Sequence, residues 1–302
     1  MAPSEGPEGL DDLVTETRGG NDDYDHRSTL ELVELMNDRD ATVPGVVGEA
    51  SSAIAEVIDA AVDRLKRGGR LIYAGAGSSG RIGLLDADEC EATFSTDPGQ
   101  VVALLAGAGL PPIEQEAAED DAEAGRNAAA ELHVSSEDVV IGVSASGRTP
   151  YTLAVLEASR EAGALTACVV SAPESPLAAV AEHEVEVVTG PEFLAGSTRL
   201  KAGTAQKLVL NTISTVSMVR LGKTYGDLMV DVRASNEKLE ARAHRIVSSA
   251  TGASRDEVEK ALAAAGGSAK VAIVSLLSGL DAAASRGRLD KSAGDIRSAL
   301  GR

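Results

Sequence analysis

Along this chain of 302 residues the spacing of apolar positions changes period, and each change marks a change of architecture. Between Pro44 and Arg67 Ala, Val and Ile recur at three- and four-residue intervals, the period of a helix with one buried face. Ser28-Thr29-Leu30-Glu31 has the form of a capping box and predicts a helix to about Asp38. A second helix is predicted over Pro44–Arg67, where Gly68-Gly69 stops it. From Arg70 the pattern alternates. Short apolar runs at Arg70–Ala74, Val101–Ala106, Asp138–Val143, Leu165–Ser171 and Glu184–Val188 read as strands. Helices fit between them at Arg81–Glu89, Pro112–Leu132, Thr149–Ala162 and Pro176–Glu182. This alternation predicts parallel strands joined by right-handed crossovers.

Ser197–Arg220 is a long amphipathic stretch with a hydroxyl- and lysine-rich start, followed by a polar turn over Asp227–Lys238. Beyond Leu239 the strand signal stops, and residues 240–302 predict three short helices in a small tail domain. Residues 1–27 are polar and acidic and predict a mobile leader. The expected organisation is a leader with helices over 1–58, an α/β domain over 59–222 and a helical tail over 240–302.

Two segments change this picture from architecture to chemistry. Gly75-Ala76-Gly77-Ser78-Ser79-Gly80-Arg81 and Ser144-Ala145-Ser146-Gly147-Arg148-Thr149-Pro150 each join a predicted strand to a predicted helix. Such a turn presents backbone N–H groups and hydroxyls at the positive end of a helix dipole, which suits a phosphate. Gly/Ser turns also occur simply because tight turns need Gly, so one segment alone says little. The pair says more, because both fall at the carboxyl edge of the sheet, where open α/β folds bind ligands. Neither fits a nucleotide fingerprint. The first lacks the Lys of a Walker A loop, and no acidic strand end follows Gly75, Gly77 and Gly80 at dinucleotide spacing. A sugar phosphate fits better than a nucleotide.

Composition removes other classes. With 43% hydrophobic residues the chain can bury a full core. Its formal charge of −19 and isoelectric point near 4.6 repel a phosphate backbone, so no nucleic-acid partner is expected. No run of about 18 apolar residues occurs, so no membrane span is expected, and the acidic start lacks the apolar core of a secretory signal. Cys90 and Cys168 lie in apolar segments without a disulfide pattern and read as buried thiols of a reducing cytoplasm. His26, His133, His183 and His244 have no metal-ligand spacing, so no metal site is expected.

Among 47 Asp and Glu residues, physics alone selects none as catalytic. Glu89 ends the helix after the first loop, in Asp86-Ala87-Asp88-Glu89-Cys90, where apolar neighbours would raise its pKa and suit it to proton transfer. Glu119 lies in the acidic run Glu114–Glu123, which reads as a solvated helix face.

Longer motifs carry a resemblance. Arg70–Arg81 with Leu85–Cys90, Ala145–Tyr151, Lys201–Asn211, and Leu228–Val232 with Asn236–Leu239 resemble, in order, the N-acetylmuramic acid 6-phosphate etherase family. The likeness includes Leu13–Arg18 and Ser28–Leu32 in the leader and covers nearly the whole chain. It implies an α/β fold: a three-layer, flavodoxin-like parallel-sheet SIS (sugar isomerase) domain, related to that of glucokinase regulatory protein, with a helical N-terminal extension and a small UBA-like tail. It also implies a cytoplasmic homodimer, with sites near the subunit interface and no metal or organic cofactor. The implied reaction cleaves the lactyl ether of a phosphorylated amino sugar, N-acetylmuramic acid 6-phosphate, to N-acetylglucosamine 6-phosphate and D-lactate, in the recovery of cell-wall amino sugars.

By motif, the resemblance implies that Glu89 protonates the leaving lactate and later activates water, while Glu119 moves the C2 proton. It implies that Ser79, Ser144, Ser146 and Thr149 hold the phosphate, with Arg148 and Lys201 nearby, and that Asn236 and Glu237 reach the site across the dimer. Ser78 stands where the family commonly has Thr, and Glu91–Ser95 departs from its usual Pro-Pro-Thr run. Two other functions share this scaffold: a non-catalytic sugar-phosphate sensor that regulates another enzyme, and an aldose–ketose isomerase. A sensor has no use for the two glutamates, and an isomerase releases no lactate.

Overall fold

In the computed structural model, which describes residues 13–20, 22–231 and 237–302, the five apolar runs form one sheet. Its strands are β1 (Leu71–Gly75), β2 (Val101–Leu105), β3 (Val139–Ser144), β4 (Leu165–Val170) and β5 (His183–Glu186). They lie in the order β2-β1-β3-β4-β5, and all neighbours are parallel. β1, β3 and β4 are buried along their whole length. Such unbroken apolar runs are what a parallel sheet covered on both faces requires.

Among the described residues nine α-helices accompany the sheet: α1 (Thr29–Asp40), α2 (Val43–Glu49), α3 (Ser51–Leu65), α4 (Gly77–Phe94), α5 (Pro112–Ala117), α6 (Ala122–Glu131), α7 (Pro150–Glu161), α8 (Pro176–Val180) and α9 (Lys201–Arg220). One sheet face presents Ile72, Val140, Cys168 and Val170 to Val155 and Leu156 of α7 and Leu177 of α8. α3 buries Ile54, Val57, Ile58, Ala61, Val62 and Leu65 and packs on β4 and β5. The result is the expected three-layer α/β domain.

The residues just before β1 and β3, Arg70 and Asp138, are stitched together by charge. Asp138, 2% exposed, accepts from the Arg70 amide at 3.0 Å and from its guanidinium at 3.0 and 2.7 Å. Ser135 adds an amide donor at 2.9 Å. Burial pushes the Asp138 carboxyl up, but the Arg70 side chain and these amides outweigh burial and hold it below the usual carboxylate range.

Several expectations are corrected. The leader is docked from Leu13 onward: Leu13 and Thr15 are buried, and the Gly196 amide donates to the Thr15 carbonyl at 2.8 Å. The Tyr24 ring stacks on Phe193 at 4.6 Å, with the Arg39 guanidinium also over that ring. These partners are distant in sequence, and leader composition does not announce them. Residues 1–12 lie outside the described residues. The helix expected over Pro44–Arg67 breaks at Ala50 into α2 and α3. The helix expected over Pro112–Leu132 becomes α5, a 3-10 turn at Ala118–Asp120, and α6. Asp121 restarts it by accepting from the Ala124 amide at 2.9 Å as an N-cap.

The chain forms two compact units, Met1–Ala87 with Val101–Ile213, and Asp88–Gln100 with Ser214–Arg302. The second unit holds a hairpin, β6 (Thr224–Tyr225) and β7 (Leu228–Met229), where a turn was expected. Its tail has five helices among the described residues, not three: α10 (Glu237–Thr251), α11 (Arg255–Ala264), α12 (Ala269–Ser278), α13 (Ala282–Lys291) and α14 (Ile296–Ala299). The last four each start at a side-chain cap, from Ser254, Ser268, Asp281 and Asp295. Val247, Val258, Ile273, Leu289 and Ile296 form their shared core.

Candidate active site

β1 and β3 are neighbours, with Gly75 opposite Val143. The chain turns to opposite ends of the sheet order on leaving them, so the two loops after these strands flank the topological switch point. The first loop needs glycine at the strand end. A Cβ on Gly80 would come within 2.5 Å of the Gly75 carbonyl oxygen, and one on Gly75 within 2.8 Å of the Gly80 nitrogen. Backbone lies directly on backbone, and α4 starts immediately, at Gly77. Ser78 and Ser79 occupy its first turn half-buried, where amides have no intrahelical acceptor.

The second loop is organised around one hydroxyl. Ser144 Oγ accepts from the Gly147 amide at 3.0 Å, lies 3.0 Å from Thr149 Oγ1 and 3.4 Å from Ser146 Oγ. With one proton and two lone pairs, it has little capacity left, and Ser144 is 3% exposed. Ser146 accepts from the Arg148 amide at 3.2 Å. Thr149 stands at the N-cap of α7 without making a capping bond. Ser146 and Thr149 are half-buried, while Ser144 holds the loop in shape.

Glu119 sits in the 3-10 turn between α5 and α6, which packs against α7. Gly107, just past β2, lets this segment approach: its Cβ would lie 2.9 Å from the Ala118 methyl and 3.0 Å from Gln115 Cα. Gln115 donates to the Leu110 carbonyl at 2.8 Å and accepts from Arg81 at 2.9 Å, tying the segment to the first turns of α4. Glu119 as a residue is exposed, yet partial burial of its carboxyl, then the charges of Asp120 and Glu116, raise its pKa above the ordinary value of 4.5. The expected solvent exposure holds, but a 3-10 turn replaces the helix face expected for it.

Glu89 is placed by the second half of α4, which belongs to the second compact unit. The enclosed apolar surrounding expected for it is not found, and Glu89 is exposed. Three residues earlier, Asp86 is buried and accepts from the Tyr73 hydroxyl at 2.7 Å and the Asn211 amide at 2.6 Å. This network, which sequence reasoning missed, fixes α4 against β1 and α9. Each of the three is a polar residue of a quoted motif; in the fold Tyr73 and Asp86 are buried and Asn211 is half-buried.

Residues 53–160 match the glucokinase regulatory protein N-terminal SIS domain, and residues 122–215 match the SIS domain. The chain is 55% identical over 296 residues to the N-acetylmuramic acid 6-phosphate etherase of Rubrobacter xylanophilus, covering 97% of this chain and 98% of that one. The etherase of Streptomyces avermitilis is 54% identical over 293 residues, 96% of this chain and 94% of that one. This chain belongs to the N-acetylmuramic acid 6-phosphate etherase family. Its fold is also that of a phosphoheptose isomerase from Francisella tularensis, with a TM-score of 0.50 at 15% identity, covering 64% of this chain and all of that one.

Of the residues expected in an etherase site, the structure brings Ser144, Ser146 and Thr149 into one hydrogen-bonded loop and sets the Ser79 turn on the adjacent strand. Lys201 is not free to serve there: it is buried, donates to the Thr189 carbonyl, and burial pushes its pKa down. Its amide and that of Ala202 donate to the fully buried Glu192 carboxylate at 2.9 Å each, an internal cap for α9 that the sequence did not reveal. Arg148 is exposed. Asn236 lies outside the described residues, as does the side chain of Glu237.

Proposed function

We infer that this chain cleaves the D-lactyl ether of N-acetylmuramic acid 6-phosphate, giving N-acetylglucosamine 6-phosphate and D-lactate in the recycling of cell-wall amino sugars. The observation that carries this reading is the near-full-length identity to etherases, 55% and 54% in the two relatives named, on a fold with paired hydroxyl loops at its switch point. In this reading the 6-phosphate rests between the first turn of α4 and the Ser146–Thr149 loop. Ser79, Ser146 and Thr149 supply hydroxyls, backbone amides assist, and Ser144 shapes the loop.

The chemistry explains the two carboxylates. An alkoxide is a poor leaving group, so the sugar first opens to its C1 aldehyde, which acidifies the C2 proton. Glu119, as carboxylate, takes that proton. The C2–H electron pair forms the C2–C3 double bond, the C3–O bond breaks, and the lactyl oxygen leaves with a proton from Glu89. Glu89 then removes a proton from water as it adds at C3, and Glu119 returns a proton to C2. Acid–base assistance of this kind contributes roughly 10²–10⁴-fold. A carboxyl held above its ordinary pKa, as at Glu119, is a stronger base for this task.

The reading includes a homodimer in the cytoplasm, with the SIS domain over 59–222 and the tail over 240–302. Leu84 and Leu85 on α4 are exposed apolar residues that a second copy would cover. Incubating the protein with N-acetylmuramic acid 6-phosphate and assaying lactate tests the reaction. Stoichiometric lactate is expected. Binding without turnover would mean a sensor, and a ketose phosphate without lactate an isomerase.

A further inference from the structure

In the second compact unit, four elements meet at Asp231. Its carboxylate accepts from Lys270 of α12 at 2.6 Å and faces Lys223, which follows α9, at 3.5 Å. Its carbonyl accepts from the hydroxyl of Ser95, the first residue past α4. Ser95 holds a left-handed φ of +49°, a conformation a non-glycine residue keeps only when its surroundings impose it. Phe94 and Cys90, on the turns before it, are buried, so the end of α4 is held both by packing and by this bond. The Lys270 side chain is only 10% exposed, which makes its ion pair with Asp231 a firm anchor rather than a solvated surface contact.

Glu89 lies five residues before Phe94, the last residue of α4 and the neighbour of Ser95, about 8 Å along the helix axis. A helix is stiff over that length, so whatever fixes Ser95 also fixes the rotation and axial position of Glu89. We infer that the Lys270–Asp231–Ser95 chain is a positioning network for Glu89, and that the helical tail serves the reaction by setting this acid. The inference rests on the reading of Glu89 as the acid that protonates lactate. None of the three residues touches the reacting atoms; they act through α4. Displacement of a reacting group by about 1 Å can cost roughly 10²-fold, which sets the expected effect.

The test compares Lys270→Met, Lys270→Arg and Ser95→Ala with Glu89→Gln in the full-length protein. N-Acetylmuramic acid 6-phosphate is the substrate, and lactate release and deuterium exchange at C2 are measured separately. Lys270→Met is expected to lower kcat for lactate release about 10²-fold with KM and C2 exchange little changed, and Lys270→Arg to restore most of it. Ser95→Ala, which removes a single half-buried hydroxyl, is expected to lower kcat in the same selective way, and it carries the test if Lys270→Met does not fold. A folded Ser95→Ala protein with unchanged kcat, or variants that lose lactate release and C2 exchange equally, would overturn the inference. If Glu89→Gln itself releases lactate at the normal rate, the underlying reading of Glu89 fails instead.

Discussion

Ser144→Ala probes the phosphate cradle at its hub. The substitution deletes an oxygen that accepts from the Gly147 amide at 3.0 Å and bonds Thr149 at 3.0 Å. The Gly147 residue is buried, so its amide loses its partner without gaining water, at a cost of about 1–3 kcal/mol. Part of this appears as a melting temperature lowered by roughly 2–6 °C. The rest appears in binding, because Ser146 and Thr149 are no longer held where a phosphate meets them. KM for N-acetylmuramic acid 6-phosphate is expected to rise about tenfold or more, with kcat nearly unchanged, since the phosphate is remote from the C2–C3 bond. Steady-state lactate assays beside thermal unfolding separate the two effects, with inorganic phosphate as a competitive inhibitor. A lowered melting temperature with unchanged KM and unchanged phosphate inhibition would refute the cradle and make Ser144 a purely structural residue.

Three other outcomes follow from the same geometry. Because partial burial and then Asp120 and Glu116 raise the Glu119 pKa, and the base works as carboxylate, kcat/KM should fall on the acid side through a pKa above 4.5; Glu119→Gln should abolish C2 exchange across that pH profile. Asp138 is held below its ordinary value of 3.8, so its stabilisation is complete above that value and is lost as pH falls through the lower folded pKa. Asp138→Asn should cost about 3–5 kcal/mol in urea unfolding at pH 7, and less in strongly acidic solution, because breaking one side of a largely buried pair strands the Arg70 charge. Gly80→Ala places a methyl 2.5 Å from the Gly75 oxygen and should lower stability and raise KM together; a well-folded variant with normal KM would show that the first loop is not closed as described.

The strands were legible because parallel-sheet residues are apolar on both faces, and the expected bounds of β1, β3 and β4 lie within one residue of those observed. The two loops were legible for the same reason: once the strands are placed, Gly75–Arg81 and Ser144–Pro150 must fall at one edge. What composition hid were effects of contact. Leu13 and Tyr24 dock on partners far along the chain, and Asp121 interrupts an otherwise helical run by capping α6. The tail divides into five helices because four polar caps restart it, a local signal outweighed by the general helical composition. Ser144 and Ser146 look equivalent in sequence, yet only the fold shows that one is buried and the other half-buried. Likewise, no pattern distinguishes Glu119 from its acidic neighbours; the approach of Gly107 and the Gln115 bonds do.

The most direct test of the elimination route is the isotopic content of the products formed in deuterated water. Removal of the C2 proton by the exposed Glu119, exchange of that proton with solvent and return of a deuteron predict one deuterium at C2 of N-acetylglucosamine 6-phosphate for each lactate released, with none retained from the substrate. Lactate released beside a sugar that keeps its original hydrogen at C2 would contradict the assignment of Glu119 and the mechanism built on it.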